Sequence, residues 1–501
     1  MLGWVLILGC TDPVRDADPL LVEAAPRTVR AGQARPTPQS RVDPAPLTPA
    51  GGQGKLVPQR TLVVGGGPAG LAAAIDLEGP VVLLEATDHL GGRGALSGGL
   101  SLYLGTEELA ALGLTGTASE LAADWEQLTG APATAATVAW LEQGTAVHDR
   151  LVGLGVDWTI GRADPILGRW WLHQPEGSGV AITNALAAAL PAEVDVRLDT
   201  VVTGLRFVDG KVAGVDTEAG PILADTVVIA TGGFVNRIDL LDYAIDDASG
   251  TFEVSTDEFA MGDALDWAAR FGLGTANLDA IGWSAGLVGA PGADGTPIRI
   301  ETGSVTPWIW IDESGSRFVD ESQGWSVLLA GSERRRTNVW AVGSYEHWVA
   351  GLEEPDDGPA MDLLRSAGDV IRCDNDPGVL AGLLGVEEAG LRATLVDVGE
   401  IVAGTRTDVW LRRGSTFPTT PGTLCAYRIG HQSMKGYGGL AVTGDGRVMD
   451  VEGQVIPGLW SVGEAAGMAV PGMGGTAGWD GSMSAVVWGG FRAAAAINAG
   501  R

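Results

Sequence analysis

The chain has few cations and no long apolar segment. Only 32 lysines and arginines stand against 62 acidic residues, which gives a formal net charge of -30. A surface of this sign repels phosphate backbones and anionic headgroups, so we expect no nucleic-acid partner. Beyond the N-terminus, no segment of the sequence is apolar for long enough to span a bilayer.

Cysteine is also scarce, occurring only as Cys10, Cys373 and Cys425. No CxxC pair or Cys/His cluster is present, so we predict neither a zinc nor an iron–sulfur site and assign no metal ligand. Cys373 and Cys425 could pair outside the cytoplasm, but the sequence leaves this open and we expect two buried thiols.

The N-terminus reads MLGWVLILGC. Residues 1–10 resemble a bacterial lipoprotein signal, in which the cysteine becomes the lipidated N-terminus. Residues 11–59 are rich in Pro, Ala, Asp and Gly without a sustained period, which predicts a disordered tether. We therefore expect a cell-envelope or periplasmic lipoprotein whose only membrane contact is this anchor. The alternative is a cytoplasmic protein with an apolar N-terminus.

What the chain has in abundance is glycine, 76 residues in 501. TLVVGGGPAGLAAAIDL predicts a strand, a glycine turn and a helix, with Gly65, Gly67 and Gly70 as GxGxxG. The first glycine permits the tight turn, the second lets a pyrophosphate approach, and the third lets the helix pack on the strand. A second strand, VVLLEA, ends at Glu85, where a carboxylate can bind ribose hydroxyls.

Further glycine motifs favour a cofactor longer than a nicotinamide dinucleotide. GGRGALSGG follows the second strand and suits a flavin, ADTVVIATGGF predicts a strand entering a glycine turn, and IPGLWSVGEAAG repeats that pattern near the C-terminus. Between them, VDVRLDTVVTGLRFVDGKVAGVDT predicts antiparallel hairpins.

These motifs, with MGDALDWAARFG, SGSRFVDE and YGGLAV, resemble the flavoprotein superfamily of fumarate reductases, succinate dehydrogenases and 3-ketosteroid dehydrogenases. The resemblance covers the chain from about Thr61 onward. It implies an α/β fold: a Rossmann-like, glutathione-reductase-like FAD-binding domain at 60–282 and 431–501, with an inserted α+β cap domain at 283–430. It also implies non-covalent FAD, because GALSGG lacks the histidine to which some relatives attach their flavin.

The resemblance assigns FAD contacts residue by residue. The pyrophosphate, ribose, adenine and flavin portions are expected at Gly65, Gly67, Pro68, Ala69, Gly70, Glu85, Arg93, Ser97, Gly98, Gly99, Val202, Gly232, Asp263, Glu464 and Ser482. WDGSMSAVVWGGFRAAAAI predicts a helix that starts near a cap at Asp480–Ser482. In the family this helix points its N-terminus at the flavin, where it stabilises negative charge.

The substrate side departs from the family. Trp325 stands where fumarate reductases have their arginine proton donor, and Thr476 stands where they have a carboxylate-binding arginine. Losing two arginines removes the bidentate contacts that a dicarboxylate needs. The tyrosines of the ketosteroid enzymes are also replaced. Trp325 and Trp479 therefore predict an apolar, aromatic site, with Trp283 near the entrance of the cap.

For proton transfer we consider His431, Lys435, Tyr437 and the motif position Trp325. His431 is the acid/base candidate because its pKa lies in the working range, although a lone histidine is often structural. Lys435 and Tyr437 are candidates for polarising a carbonyl, and Arg428 for binding one carboxylate. His173, in RWWLHQPEGSG, is expected to be structural.

Three functional hypotheses follow. The first is an FAD-dependent dehydrogenase or reductase that acts on a CH–CH or C=C bond beside a carbonyl, in a small and hydrophobic substrate. The second is a fumarate-reductase-like enoate reductase with a displaced cation. The third is a non-catalytic flavin-binding or electron-transfer protein. No CxxCH haem motif is present, so the unidentified electron partner is a separate protein or a quinone.

Overall fold

The computed structural model describes residues 60–129, 133–163, 170–237, 239–241, 252–253, 259–291, 297–299, 309–321, 339–344, 371–410, 423–467 and 482–500. The predicted signal and tether at 1–59 lie outside the described residues. None of the described helices has both the length and the apolar character required to cross a membrane.

The α-helices of the described ranges are α1 (Pro68–Asp76), α2 (Gly92–Ala95), α3 (Glu107–Ala111), α4 (Ala118–Thr129), α5 (Ala135–Gly153), α6 (Ser178–Ala188), α7 (Asp263–Phe271), α8 (Pro377–Leu384), α9 (Glu388–Val402) and α10 (Met483–Ala499). The strands of the first half are β1 (Thr61–Val64), β2 (Val81–Leu84), β3 (Trp158–Ala163), β4 (Trp171–Pro175), β5 (Asp195–Arg197), β6 (Val202–Val208), β7 (Lys211–Thr217), β8 (Gly220–Leu223), β9 (Thr226–Ile229) and β10 (Phe252–Glu253). The later strands are β11 (Thr275–Ala276), β12 (Ile281–Pro291), β13 (Pro297–Arg299), β14 (Ile309–Ile311), β15 (Val339–Ser344), β16 (Ile371–Cys373), β17 (Leu424–Gly436), β18 (Gly439–Leu440), β19 (Arg447–Met449) and β20 (Val455–Ser461).

The first sheet has the strand order β19-β20-β9-β1-β2-β5. Its strands are parallel except β19, which runs antiparallel to β20. The central strand β1 is buried on both faces: Val63 packs with the helices α1, α5, α6 and α10, whereas Leu62 and Val64 pack with β6–β8 and α7. Continuous apolar runs such as TLVV are typical of parallel strands covered on both sides.

The helix α10 brings the C-terminus back against the N-terminal glycine turn. A Cβ on Gly490 would lie 2.3 Å from the carbonyl oxygen of Ala69, and one on Gly463 would lie 2.8 Å from the Ala69 Cβ. Small residues at these contacts allow α1, α10 and the turn after β20 to approach closely. The first sheet and its glycine turn are therefore built from both ends of the described chain.

The predicted hairpins between Val194 and Thr217 are correct only in part. β6, β7 and β8 form an antiparallel three-stranded sheet. In contrast, VDVR supplies β5, which pairs parallel to β2 at the edge of the first sheet. Three residues are too few for periodicity to distinguish an edge strand from a hairpin arm.

The second sheet is built around β17, which pairs with β12 on one side and β15 on the other. β13 extends β12 and β14 extends β15, while β10 and β16 also pair with β17. Leu380 of α8 and Leu391 of α9 pack on Ile309, Trp340 and other buried residues of this sheet. The boundaries predicted at 282/283 and 430/431 fall inside β12 and β17.

A disulfide links the edge of this second sheet. Cys373 of β16 lies directly opposite Cys425 of β17, with Cα atoms 4.1 Å apart, and the two sulfur atoms are bonded. Cys373 is solvent-exposed, whereas Cys425 is buried. The expectation of two buried thiols is wrong, because cross-strand register brings together two cysteines that are 52 residues apart in sequence.

Candidate cofactor and substrate site

The glycine turn after β1 has the close contacts that its sequence predicts. Gly65 has a φ of 109°, and a Cβ there would lie 2.3 Å from the carbonyl oxygen of Ala230. A Cβ on Gly70 would lie 2.0 Å from the carbonyl oxygen of Gly65. Both positions therefore require glycine for packing of the turn itself, whether or not a ligand is bound.

Gly67 differs from its two neighbours because it faces open space. The nearest atom to a Cβ on Gly67 would be the carbonyl oxygen of Gly91, 4.0 Å away. Gly67 is the N-cap of α1, Pro68 follows at the first helical position, and neither residue supplies a side-chain cap. The N–H groups of the first turn are thus available to a phosphate, as in dinucleotide-binding folds. Ala69 is buried, so only its backbone can contribute.

Glu85 lies beside this turn and organises it. Its Oε2 accepts a hydrogen bond from the Gly66 N–H at 2.7 Å, and its Oε1 accepts from the N–H and hydroxyl of Thr87 at 2.9 and 3.0 Å. A carboxylate has about four acceptor sites, so one is left for a ribose hydroxyl. Thr200 donates its N–H to the Glu85 carbonyl oxygen at 2.8 Å, which brings the chain leading into Val202 to the same place.

In the second glycine loop, one glycine is required for close packing and another faces open space. A Cβ on Gly99 would lie 2.6 Å from Pro175 Cγ, whereas a Cβ on Gly98 would meet nothing within 4 Å. The Ser97 hydroxyl donates to the carbonyl oxygen of Gly94 at 2.7 Å and accepts from the Gly99 N–H at 3.2 Å. Arg93 lies half-buried in α2. Gly98 is thus the position in this loop where a ligand can approach the backbone.

A third set of residues closes the site at the end of β9. A Cβ on Gly232 would meet nothing within 4 Å, and one on Gly233 would lie 2.6 Å from Glu464 Oε2. The Gly262 N–H donates to the Gly233 carbonyl oxygen at 3.0 Å, which places Asp263, the first residue of α7, next to this turn. Within the described part of the chain, the buried hydroxyl of Thr231 has no hydrogen-bond partner.

An unpaired buried hydroxyl indicates a missing partner, because such groups are hydrogen-bonded in most proteins. Together with the open positions at Gly67, Gly98 and Gly232, it fits a long dinucleotide that runs from Glu85 towards Glu464. Sequence reasoning missed the Gly66 N–H, Thr87 and Thr231. The signal for Thr87 was its place two residues after Glu85, where a hydroxyl and a backbone N–H can both reach the carboxylate.

The N-terminus of α10 lies beside the segment that follows the second glycine loop. Ser482 is the N-cap residue of α10, within the cap segment that the sequence predicts, but its side chain makes no capping hydrogen bond. Its Oγ instead lies 3.5 Å from Lys435 Nζ. Asp480, also considered as a cap, lies outside the described residues. Ser484 Oγ accepts from the Leu102 N–H at 3.3 Å, which ties α10 to the segment after Gly98.

The remaining catalytic candidates lie on or near β17. The backbone of His431 pairs with Ala285 of β12 and Phe252 of β10. Tyr437 is fully buried and donates its N–H to the Ala280 carbonyl oxygen at 2.8 Å, which favours a packing role for its ring. Lys435 Nζ lies 5.7 Å from the centre of that ring.

Several substrate-side predictions cannot be placed. Trp325, Thr476 and Trp479 lie outside the described residues. The backbone of Trp283 lies in β12 opposite Ser433, and Arg428 lies half-buried in β17 opposite Trp340. Their proposed roles remain predictions.

The SGSRFVDE motif forms a buried ion pair. Arg317 donates from Nε and Nη2 to the two carboxylate oxygens of Glu321, at 2.9 and 2.7 Å, and from Nη1 to Asp408 at 3.1 Å. Glu321 also accepts the Trp310 N–H at 3.0 Å. The side chains of Arg317, Glu321 and Asp408 are 7%, 1% and 9% exposed. This pairing raises the pKa of Arg317 against the opposing effect of burial, which is the largest single influence.

A family model described as "FAD binding domain" matches residues 60–479. Among curated proteins, L-aspartate oxidase of Agrobacterium fabrum is 29% identical over 283 residues, covering 53% of this chain and 51% of the relative. The 4-oxocyclohexanecarboxylate 2-dehydrogenase of Sinomonas cyclohexanicum is 28% identical over 310 residues, covering 54% and 52%. The chain thus spans about half the length of these curated relatives.

Among solved structures, the chain is similar to 3-ketosteroid delta1-dehydrogenase from Sterolibacterium denitrificans in complex with 1,4-androstadiene-3,17-dione. The TM-score is 0.72 at 17% identity, covering 88% of this chain and 99% of the other. At this identity the similarity establishes the fold alone. The mixed α/β architecture is therefore one that flavoproteins are known to adopt.

Proposed function

We propose that this chain, which belongs to the FAD binding domain family and has FAD as its cofactor, is an oxidoreductase. It acts on a CH–CH or C=C bond beside a carbonyl. The observation that supports this most directly is the set of glycines at which a Cβ would meet open space, Gly67, Gly98 and Gly232, together with the Glu85 carboxylate beside the first glycine turn. Lys435 Nζ lies 3.5 Å from Ser482 Oγ, at the N-terminus of α10.

The glycine turns and their neighbours would hold successive parts of the cofactor. Gly67 and the first turn of α1 would bind the pyrophosphate, with Glu85 at the adenosine ribose. Gly98, Gly232 and the Thr231 hydroxyl would lie along the remainder. FAD, when bound, supplies a two-electron acceptor or donor for hydride transfer. In this assignment the first sheet is the Rossmann-like domain of the glutathione-reductase type, and the second sheet is part of the inserted cap.

Lys435 would supply positive charge at the N-terminus of α10, where we expect the flavin. Its Nζ is within 3.5 Å of Ser482 Oγ, next to the N-terminal N–H groups of α10. A lysine and a helix N-terminus together favour an anion or a developing oxyanion at this position. Lys435 would therefore orient a carbonyl or stabilise its charge, while proton transfer remains assigned to His431.

For the substrate, we propose an apolar carbonyl compound. Trp325 and Thr476 replace the two arginines of the fumarate reductases in sequence, and Trp479 adds an aromatic side chain to the same late glycine segment. The matching curated relatives include an enzyme named for a cyclic keto acid, and a matching structure holds a steroid dione. A planar cyclic ketone suits an aromatic pocket, whereas a small dicarboxylate needs paired arginines.

The test is anaerobic mixing of the FAD-loaded protein with cyclic ketones, ketosteroids, enones and fumarate, followed by flavin absorbance. We expect bleaching by a cyclic ketone, or reoxidation of the reduced protein by the corresponding enone. Rapid turnover of fumarate would favour the enoate reductase instead. Inertness towards all four classes would favour a non-catalytic flavin protein.

The variant Trp325→Arg sharpens this test. We expect it to lower the rate with cyclic ketones by about tenfold or more, because a desolvated charge replaces an apolar contact. Trp410→Arg is the control, since the Trp410 side chain is exposed. Equal rates for the variant and the wild-type protein would remove Trp325 from the substrate site.

For localisation, we propose the cell envelope, with Cys10 as lipid anchor. The Cys373–Cys425 disulfide supports this proposal, because disulfides persist in oxidising compartments and are rare in the cytosol. Detergent-phase partitioning that Cys10→Ser leaves unchanged would contradict the anchor.

A further inference from the structure

A cluster of possible metal-ligand side chains lies on elements next to the second glycine loop. Glu108 belongs to α3, His148 to α5 and His173 to β4, so the cluster joins elements distant in sequence. One ligand atom from each of the three residues lies within 4.8 Å of the other two. The sequence offered no spacing signal for this arrangement.

The facing atoms of the cluster are buried without conventional partners. His148 is 3% exposed and His173 is 0% exposed. Among the residues that the structure describes, His148 Nε2, His173 Nδ1 and Glu108 Oε2 have no hydrogen-bond partner. His148 Nε2 approaches Glu108 Oε1 to 3.4 Å without hydrogen-bond geometry. Three unsatisfied buried atoms in one place are unusual for a folded protein and point to an unassigned ligand.

The outward nitrogen of each imidazole already has a partner. His148 Nδ1 lies 3.0 Å from Asp149 Oδ1, and a carboxylate only accepts, so Nδ1 is the donor. His173 Nε2 lies 2.8 Å from Thr106 Oγ1, a hydroxyl that can accept a hydrogen bond from Nε2–H. The Asp149 contact selects the tautomer with a lone pair on His148 Nε2, and the Thr106 contact is satisfied by the tautomer with a lone pair on His173 Nδ1. Metal-bound histidines are oriented in this way by carboxylates and other acceptors.

Aromatic side chains cover the histidine side of the cluster. The rings of Tyr103 and Trp158 pack against His148 at centroid distances of 5.3 and 5.8 Å. Imidazole and carboxylate atoms that converge without hydrogens between them present lone pairs to one another, which is unfavourable unless a cation lies between them.

We propose that Glu108, His148 and His173 bind a divalent transition-metal ion of the zinc class, which links α3, α5 and β4. Two imidazoles and one carboxylate form a donor set that such ions accept, leaving a fourth position. Ligand atoms about 2.1 Å from a tetrahedral ion are about 3.4 Å apart, so a small contraction from the present spacing completes the site.

The position of the ion indicates what it would do. His173 exchanges both backbone hydrogen bonds with Ser101, at 3.0 and 2.8 Å, and Ser101 bridges to Ser482 at the start of α10. Linking α3 and α5 to β4 would therefore stiffen the strand that supports the second glycine loop. The role is structural, and it does not depend on which substrate the flavin serves.

The test uses the full-length FAD-loaded protein, dialysed free of metal and then titrated with Zn²⁺ or Co²⁺. We expect about one ion to be retained per chain after gel filtration, a rise in Tm, and the visible absorption of tetrahedral Co²⁺. Glu108→Gln and His148→Asn should each weaken retention by about tenfold or more.

Matched controls separate this site from the acidic surface. Glu107→Gln removes the same charge from an exposed neighbour in α3, and His89→Asn removes a histidine elsewhere, so both should retain the ion as the wild-type protein does. Equal retention by all variants would mean surface binding and would overturn the proposal. If the site variants fail to fold, wild-type protein that neither retains an ion nor gains Tm would overturn it equally.

Discussion

The first and second sheets of this protein are held together in different ways. The parallel sheet around β1 depends on apolar side chains buried on both faces and on glycines that let α1 and α10 approach within van der Waals contact. The sheet around β17 also has an apolar core. In addition it contains a disulfide and a buried Arg317 that pairs with both Glu321 and Asp408.

We call the first sheet with its packed helices the first region, and the second sheet with α8 and α9 the second region. The two regions are sensitive to different kinds of substitution. In the first region a single added methyl group can block a backbone contact, because the function and the packing both use the main chain. In the second region a single lost side-chain partner leaves a charge buried without compensation. Variants can therefore damage one region while the other remains folded.

The largest effect is expected from Arg317→Ala. It leaves Glu321 and Asp408 buried without their cation, which typically costs about 3–5 kcal/mol. We expect urea unfolding of the second region at lower concentration, measured by near-UV circular dichroism, while FAD stays bound. Arg392→Ala, which removes the exposed pairs with Glu388 and Asp376, should leave the transition unchanged. Loss of FAD together with the second region would contradict the independence of the two sheets.

The next largest effect is expected from opening the disulfide. Cys373→Ser combined with Cys425→Ser releases a loop of 52 residues, and loss of such a constraint typically costs about 2–4 kcal/mol. The Tm of the second region should fall, and reduction with dithiothreitol should reproduce the shift in the wild-type protein. Cys10→Ser is the control, because it removes the remaining cysteine. A Tm unaffected by either treatment would show that the sheet does not depend on the link.

A smaller but more selective effect distinguishes two glycines of the first region. Gly70→Ala places a methyl group 2.0 Å from the carbonyl oxygen of Gly65 and should destabilise the FAD-free protein by about 1–3 kcal/mol. Gly67 has a φ of -74° and open space around a Cβ, so Gly67→Ala should leave the stability of the FAD-free protein unchanged. Its affinity for FAD should fall by about tenfold, measured by flavin fluorescence. Unchanged affinity would move the pyrophosphate away from Gly67.

The nucleotide-binding end of the fold was predictable because its signals are local. A strand, a glycine turn and a helix follow one another within TLVVGGGPAGLAAAIDL, and Gly70 is needed because its Cβ would meet the carbonyl oxygen of Gly65, five residues earlier. The disulfide was not predictable, since nothing in the sequence states that Cys373 and Cys425 lie opposite each other on β16 and β17. β5 was misassigned because its pairing with β2 crosses more than a hundred residues.

By itself the sequence determined a glycine-rich FAD-binding protein with a strongly acidic surface and an altered substrate motif. Those features depend on residue type and short spacing, which the chain states directly. Only the tertiary structure decided that Lys435 reaches Ser482, that Arg317 is buried with two carboxylates, and that Glu108, His148 and His173 converge. Each of these requires separate segments to pack together, and the free energy of that packing is shared among all the residues of the core rather than encoded in a local pattern.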